Sequence, residues 1–124
     1  MLPLPLRALG AAALALALAA PGDARRSRDW TDWGAVAIGP GGAFGLALHY
    51  DNEREAREAA LRDCRNRCDR SLPFHDSCGA VAVARNGTDF WAVGPSREEA
   101  SRQASLICAE EASHCRIAAV GCTD

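Results

Sequence analysis

Cys78-Gly79-Ala80-Val81-Ala82-Val83 is the stretch from which the rest of the chain can be laid out. It echoes Trp33-Gly34-Ala35-Val36-Ala37-Ile38 upstream, and its cysteine recurs as Cys122 near the end of the chain. Working outward, Pro40-Gly41-Gly42-Ala43-Phe44 aligns with Arg85-Asn86-Gly87-Thr88-Asp89-Phe90, with one more residue in the second copy. Asn52-Glu53-Arg54-Glu55-Ala56 aligns with Ser96-Arg97-Glu98-Glu99-Ala100, Cys64 with Cys108, and Cys78 with Cys122. A spacing held across glycines, cysteines and helix starts points to an internal repeat, about 33–78 and 78–122.

The chain has 124 residues, room for one ordinary domain. Two half-size units of this length cannot each hold a core, so they are expected to pack as one domain over 30–124. The formal net charge is −2 and every basic residue is arginine. That balance gives no general electrostatic case for nucleic acid. Residues 1–20 read as a signal peptide: Arg7 is the positive start, 8–20 the short apolar run, and Ala17-Leu18-Ala19 and Leu18-Ala19-Ala20 both offer small residues for cleavage, with a later site at Asp23-Ala24. Residues 21–29 read as a flexible leader, and Trp30 and Trp33 open the folded part. This predicts export, to the periplasm or the exterior, with no stable membrane anchor after cleavage.

Six cysteines in an exported chain read as disulfides. The repeat narrows the fifteen possible pairings. Cys64 and Cys68 hold the place of Cys108 and Cys115, each pair joining a helix end to the following loop. Cys78 and Cys122 hold one place in the two copies. The expected bridges are Cys64–Cys68, Cys108–Cys115 and Cys78–Cys122.

Ala35-Val36-Ala37-Ile38 reads as a strand, 39–42 as a turn and 44–49 as the return strand. Asn52 with Glu55 three residues on is a capping box, and Ala56, Ala60 and Cys64 form a small-residue helix face. Pro73 confines 71–77 to an edge strand at most. Val81-Ala82-Val83 is a strand, Asn86-Gly87 signals a type I′ hairpin, and 89–93 returns. Ser96 with Glu99 caps a second helix with Ala100, Ala104, Ile107 and Cys108 inward, and a last strand ends at Cys122. The expected fold is α+β: a duplicated hairpin/helix/strand unit, an antiparallel sheet with two helices packed on one face, stapled by disulfides.

The sequence Trp-Gly-Ala-Val-Ala-Ile, then a glycine-aromatic hairpin, then an acidic, arginine- and alanine-rich helix ending in cysteine, then Cys-Gly-Ala-Val-Ala-Val, resembles the bacterial secreted family called domain of unknown function 4189. The resemblance covers about 30–123. It implies export and disulfides, and no activity or catalytic residues. The loop Arg65-Asn66-Arg67 after the first helix is poorer in glycine than the family pattern.

Candidate chemistry is sparse. His75-Asp76 with Ser77 beside it suggests a triad, but neighbours along an extended chain point in alternating directions. His114-Cys115 and the Cys64/Cys68 pair are ligand-like, yet export favours oxidised thiols. Glu53, Glu55, Glu58 and Asp63 on the first helix, and Glu98, Glu99, Glu110 and Glu111 on the second, alternate with arginines as a solvated face does. No catalytic residue, metal site or cofactor is therefore expected. Arg62, Arg65, Arg67 and Arg70 form a cationic cluster at the end of the first helix, able to hold an acidic or phosphate group. Together with Trp91, a residue type favoured in binding hot spots, they are the candidate partner-binding residues. Phe44 and Phe90 read as equivalent core positions, with Trp91 replacing Gly45. The functional expectation is a small exported binding module for a protein or envelope component. The alternatives are a secreted hydrolase with His75 or a glutamate as base, and a structural envelope protein.

Overall fold

The computed structural model describes residues 32–123. The expected signal peptide (1–20), the leader (21–29) and Trp30 lie outside them.

The first half runs β1 (Trp33–Gly39), a one-turn 3-10 segment (Pro40–Gly42), β2 (Ala43–Tyr50), α1 (Glu53–Asp63) and β3 (Arg70–His75). The second runs β4 (Cys78–Val83), β5 (Asp89–Gly94), α2 (Arg97–Glu111) and β6 (Arg116–Cys122). Each half makes its own three-stranded antiparallel sheet, in the orders β2-β1-β3 and β5-β4-β6. The third strand returns beside the first in both. Pro73 sits in edge strand β3, the kind of strand in which a residue without an N–H is tolerated.

The fold is α+β and antiparallel, as the pattern predicts, but the layering differs from one sheet with both helices on one face. The reason lies in the alternation of the central strands. Ala35 and Ala37 of β1 pack with Ala56, Ala59 and Ala60 of α1, whereas Val36 and Ile38 point the other way. In β4, Ala80 and Ala82 pack with Ala100, Ala104 and Cys108 of α2, whereas Val81 and Val83 point away. Both faces of each central strand are thus apolar. A single sheet with helices on one face would leave the valines and isoleucine in water. Stacking the two sheets buries Val36, Ile38, Val81 and Val83 in one shared cluster, and each large side chain so buried contributes about 1.5–3 kcal/mol. The order of layers is α1, first sheet, second sheet, α2.

Small residues let backbones close in. A Cβ on Gly45 would lie 2.2 Å from the Ala60 carbonyl oxygen, so α1 rests directly on β2. Phe74 of β3 fills the seam between the central strands. A Cβ on Gly34 would meet its ring at 2.8 Å, and one on Gly79 at 2.5 Å. These two glycines hold the same place in the two halves, and one aromatic ring uses both.

The helices start as expected: Asn52 Oδ1 accepts from the Glu55 N–H at 2.9 Å, and Ser96 Oγ from the Glu99 N–H at 3.1 Å. The bridges are Cys64–Cys68, Cys108–Cys115 and Cys78–Cys122. The last joins residues directly opposite each other on β4 and β6. No cysteine is free among the described residues, which suits an oxidising, exported environment.

The second hairpin is not a two-residue type I′ turn. The Gly87 N–H donates to the Ala84 carbonyl and the Ala84 N–H to the Thr88 carbonyl, each at 2.9 Å, and Gly87 takes φ 89° while Asn86 stays out of the left-handed region. This is a three-residue loop, a tight turn closed by a left-handed glycine. The first loop also has three residues, 40–42, between the paired Gly39 and Ala43. The second copy therefore has no additional residue in its hairpin loop. The first copy is the longer one: its additional residue sits in β2, where the β1–β2 register shifts and His49 adopts φ 68°.

That relocation reassigns the equivalences. Ile38 pairs with Phe44 and Val83 with Asp89; Ala37 pairs with Gly45 and Ala82 with Phe90; Val36 pairs with Leu46 and Val81 with Trp91. Phe44 corresponds to Asp89, and Trp91 to Leu46 rather than Gly45. Phe44 packs between the sheets while Phe90 packs on the α2 side, so the two phenylalanines face opposite ways. A one-residue slip exchanges faces because the strand period is two.

Candidate functional site

Arg62 ends α1, Arg65 and Arg67 stand in the loop closed by Cys64–Cys68, and Arg70 opens β3; all four are exposed. Arg65 and Asn66 both take left-handed conformations, φ 58° and 62°, where glycine would be at ease. The short bridge holds this loop against β1, so closely that a Cβ on Gly39 would fall 2.1 Å from the Arg67 carbonyl oxygen. Three helix arginines are paired: Arg57 with Glu53 at 3.0 Å, Arg54 with Glu58 at 3.8 Å, and Arg102 with Glu99. Arg62, Arg65 and Arg67 enter no ion pair among the described residues.

Arg70 and Trp91 come together from different halves. The guanidinium lies 5.7 Å from the Trp91 ring centroid, an exposed cation–π contact of about 0.5–1 kcal/mol. Trp91 is half-buried, packing between the sheets on one side and edging a groove on the other. The groove has two adjoining concavities. One, about 330 Å³, lies between the two hairpin loops, with Gly39, Gly41, Asn86 and Gly87 on its walls. The other, about 400 Å³, runs along β5 to α2, with Phe90, Trp91, Ile107 and Glu111 on its walls. Arg70, Thr88 and Asp89 line both.

Asp89 is 8% exposed, and its Oδ2 has no hydrogen-bond partner among the described residues. Burial pushes its carboxyl above the ordinary 3.8. Backbone N–H groups of Gly39 and Asp89 and the charge of Arg70 pull it back down, while the charge of Asp69 adds to the rise. Matching Phe44 to Phe90 in the sequence hides the place of Asp89. The usable signal was an acid two residues past the hairpin glycine, at the head of an otherwise apolar strand.

The other candidates do not converge. His49 Nδ1 lies 2.9 Å from Asp32 Oδ1, and His75 packs edge-on to Trp33 at 4.6 Å, on the opposite side of β1. His114 belongs to the second half, with Nδ1 3.3 Å from Ser113 Oγ. The Ser77 hydroxyl donates to the His75 backbone carbonyl at 2.8 Å, which turns it from the imidazole. Among the described residues no three His, Cys, Asp or Glu side chains are grouped to hold a metal ion. No helix among them is long and apolar enough to cross a membrane.

Fold and groove together define a small, disulfide-stapled α+β domain with one aromatic-and-charged face. A family model for a domain of unknown function, DUF4189, matches residues 33–122, and the chain belongs to that family. No curated protein matches it. Among solved structures it is similar to the NMR structure of Rv1813c from Mycobacterium tuberculosis, at 29% identity and a TM-score of 0.58, over 74% of this chain and 75% of that one.

Proposed function

We propose that the protein is an exported binding module, periplasmic or extracellular. Its binding face runs from the Cys64–Cys68 loop to the place where the start of β3 meets β5, bearing Arg62, Arg65, Arg67, Arg70 and Trp91. The partner is a secreted protein or an envelope component. The observation carrying this reading is the meeting of Arg70 and Trp91, from separate halves, over a groove. The strained loop that presents Arg65 and Arg67 to solvent adds support, since strain and solvent-facing charge gather at recognition surfaces. The common strand order of the halves supports an origin by duplication.

The test immobilises the oxidised protein and challenges it with envelope and culture-supernatant extracts. The expected result is a component retained by the native protein, released by salt, and lost with Arg65→Gln/Arg67→Gln/Arg70→Gln. Equal retention by that variant would reject this face. A second reading, a secreted hydrolase, draws on one observation: Asp89, with its raised pKa, and Glu111 share a groove. Product formation from cell-wall or protein substrates that stops with both Asp89→Asn and Glu111→Gln would favour it.

A further inference from the structure

We infer that the groove over Asp89 takes a neutral, hydroxylated ring, that is, one or two consecutive sugar residues of a glycan. The inference rests on the binding-module reading and names the ligand class of its groove. Charge narrows the choice. A cation entering would meet Arg70, and an anion would meet Asp69, Asp89 and Glu111, all on the groove walls. A hydroxyl group suits both signs, because it donates to a carboxylate and accepts from a guanidinium.

The buried polar inventory points the same way. Asp89 Oδ2 is enclosed and unpartnered among the described residues, and a buried acceptor left unpaired costs about 1–3 kcal/mol. A ligand hydroxyl supplies the missing donor once the Asp89 side chain turns Oδ2 toward the groove it lines. Trp91 lends the groove wall apolar surface for the C–H groups of a sugar ring, and the Arg70 guanidinium over its indole sets hydrogen-bond donors beside it. Thr88 and Asn86 add short polar groups on the far wall. Each concavity falls in the roughly 300–1,000 Å³ range of small-molecule sites. Because the two meet at Asp89, two linked rings would share this carboxylate, one against the hairpin loops and one along Trp91.

The experiment titrates the oxidised, ¹⁵N-labelled full chain with chitotetraose, cellotetraose, maltotetraose and mannotetraose, followed by amide spectra. The expected result is saturable shifts for at least one tetrasaccharide, confined to 38–41, 69–70, 86–91 and the end of α2. Asp89→Asn turns one of the two acceptor oxygens into a donor at nearly constant shape and is expected to weaken binding about tenfold, a change of about 1.4 kcal/mol. Arg70→Gln, at an exposed position, is expected to weaken binding without disturbing the remaining spectrum. No shift at about 10 mM with any of the four, shifts centred elsewhere, or full affinity in Asp89→Asn would each overturn the inference. If the sugars fail while an extract component is still retained through Arg70, the module reading stands and this one falls.

Discussion

The two halves have the same parts in the same order but differ at one strand. In the first, Phe44 stands opposite Ile38 and fills space between the sheets. In the second, the corresponding place opposite Val83 holds Asp89. An apolar plug on one side becomes a buried carboxyl beside a groove on the other. Trp91 then takes the place of Leu46, and Arg70 from the first half reaches over it. The scaffold tolerates this because its stability is spread elsewhere, in the Ala-lined helix seats, the shared Val/Ile cluster and the bridges. The proposed recognition chemistry is gathered where the halves stop matching.

The largest difference to probe is between the bridges. Cys78–Cys122 closes a loop with sequence separation 44, and removing it with Cys78→Ala/Cys122→Ala should cost about 4 kcal/mol. Cys64→Ala/Cys68→Ala, with separation 4, should cost about 2 kcal/mol and also release the left-handed Arg65 and Asn66. Urea midpoints check both, and equal losses would break the contrast.

Next comes the Phe74 wedge. Gly79→Ala and Gly34→Ala are each expected to destabilise by about 1–3 kcal/mol through overpacking, the first against the Phe74 ring alone and the second against that ring and the Ala47 carbonyl oxygen. Adding Phe74→Leu to Gly79→Ala should recover part of that loss in the same denaturation assay.

The caps should be alike. Asn52→Ala and Ser96→Ala are each expected to cost about 1 kcal/mol, since each side chain accepts one helix N–H. A large disparity in thermal unfolding would show that the halves do not carry their helices equally.

The smallest effect is electrostatic. A carboxyl raised in the folded state binds its proton more tightly there than in the unfolded chain. Its stabilising contribution is complete below the unfolded value near 3.8 and fades as pH rises through the folded value. Unfolding free energies of native protein and Asp89→Asn, compared across that window, should therefore diverge, with the native protein losing stability relative to the variant as pH rises.

Much of this was legible before the structure. The alternation Ala35-Val36-Ala37-Ile38 carries both the strand and its two apolar faces, and Asn52 and Ser96 mark the helix starts. What the alternation leaves open is the partner of each face, so one sheet and two stacked sheets share the same pattern until the valines must be buried. The pairing of Arg70 with Trp91 depends on how β3 crosses the seam, which no local signal encodes. Asp89 was obscured by an alignment that favoured a phenylalanine match. Only the register, with the additional residue at His49, restores its place opposite Val83.

The most direct test of the claim that Asp89 is a buried acid standing where the first half has Phe44 is the titration of its own carboxyl carbon by NMR in the oxidised protein. The account predicts a midpoint above 3.8, because burial outweighs the help from backbone N–H groups and Arg70. A midpoint at or below 3.8 would mean that the carboxylate is well solvated or fully paired, and would contradict the account.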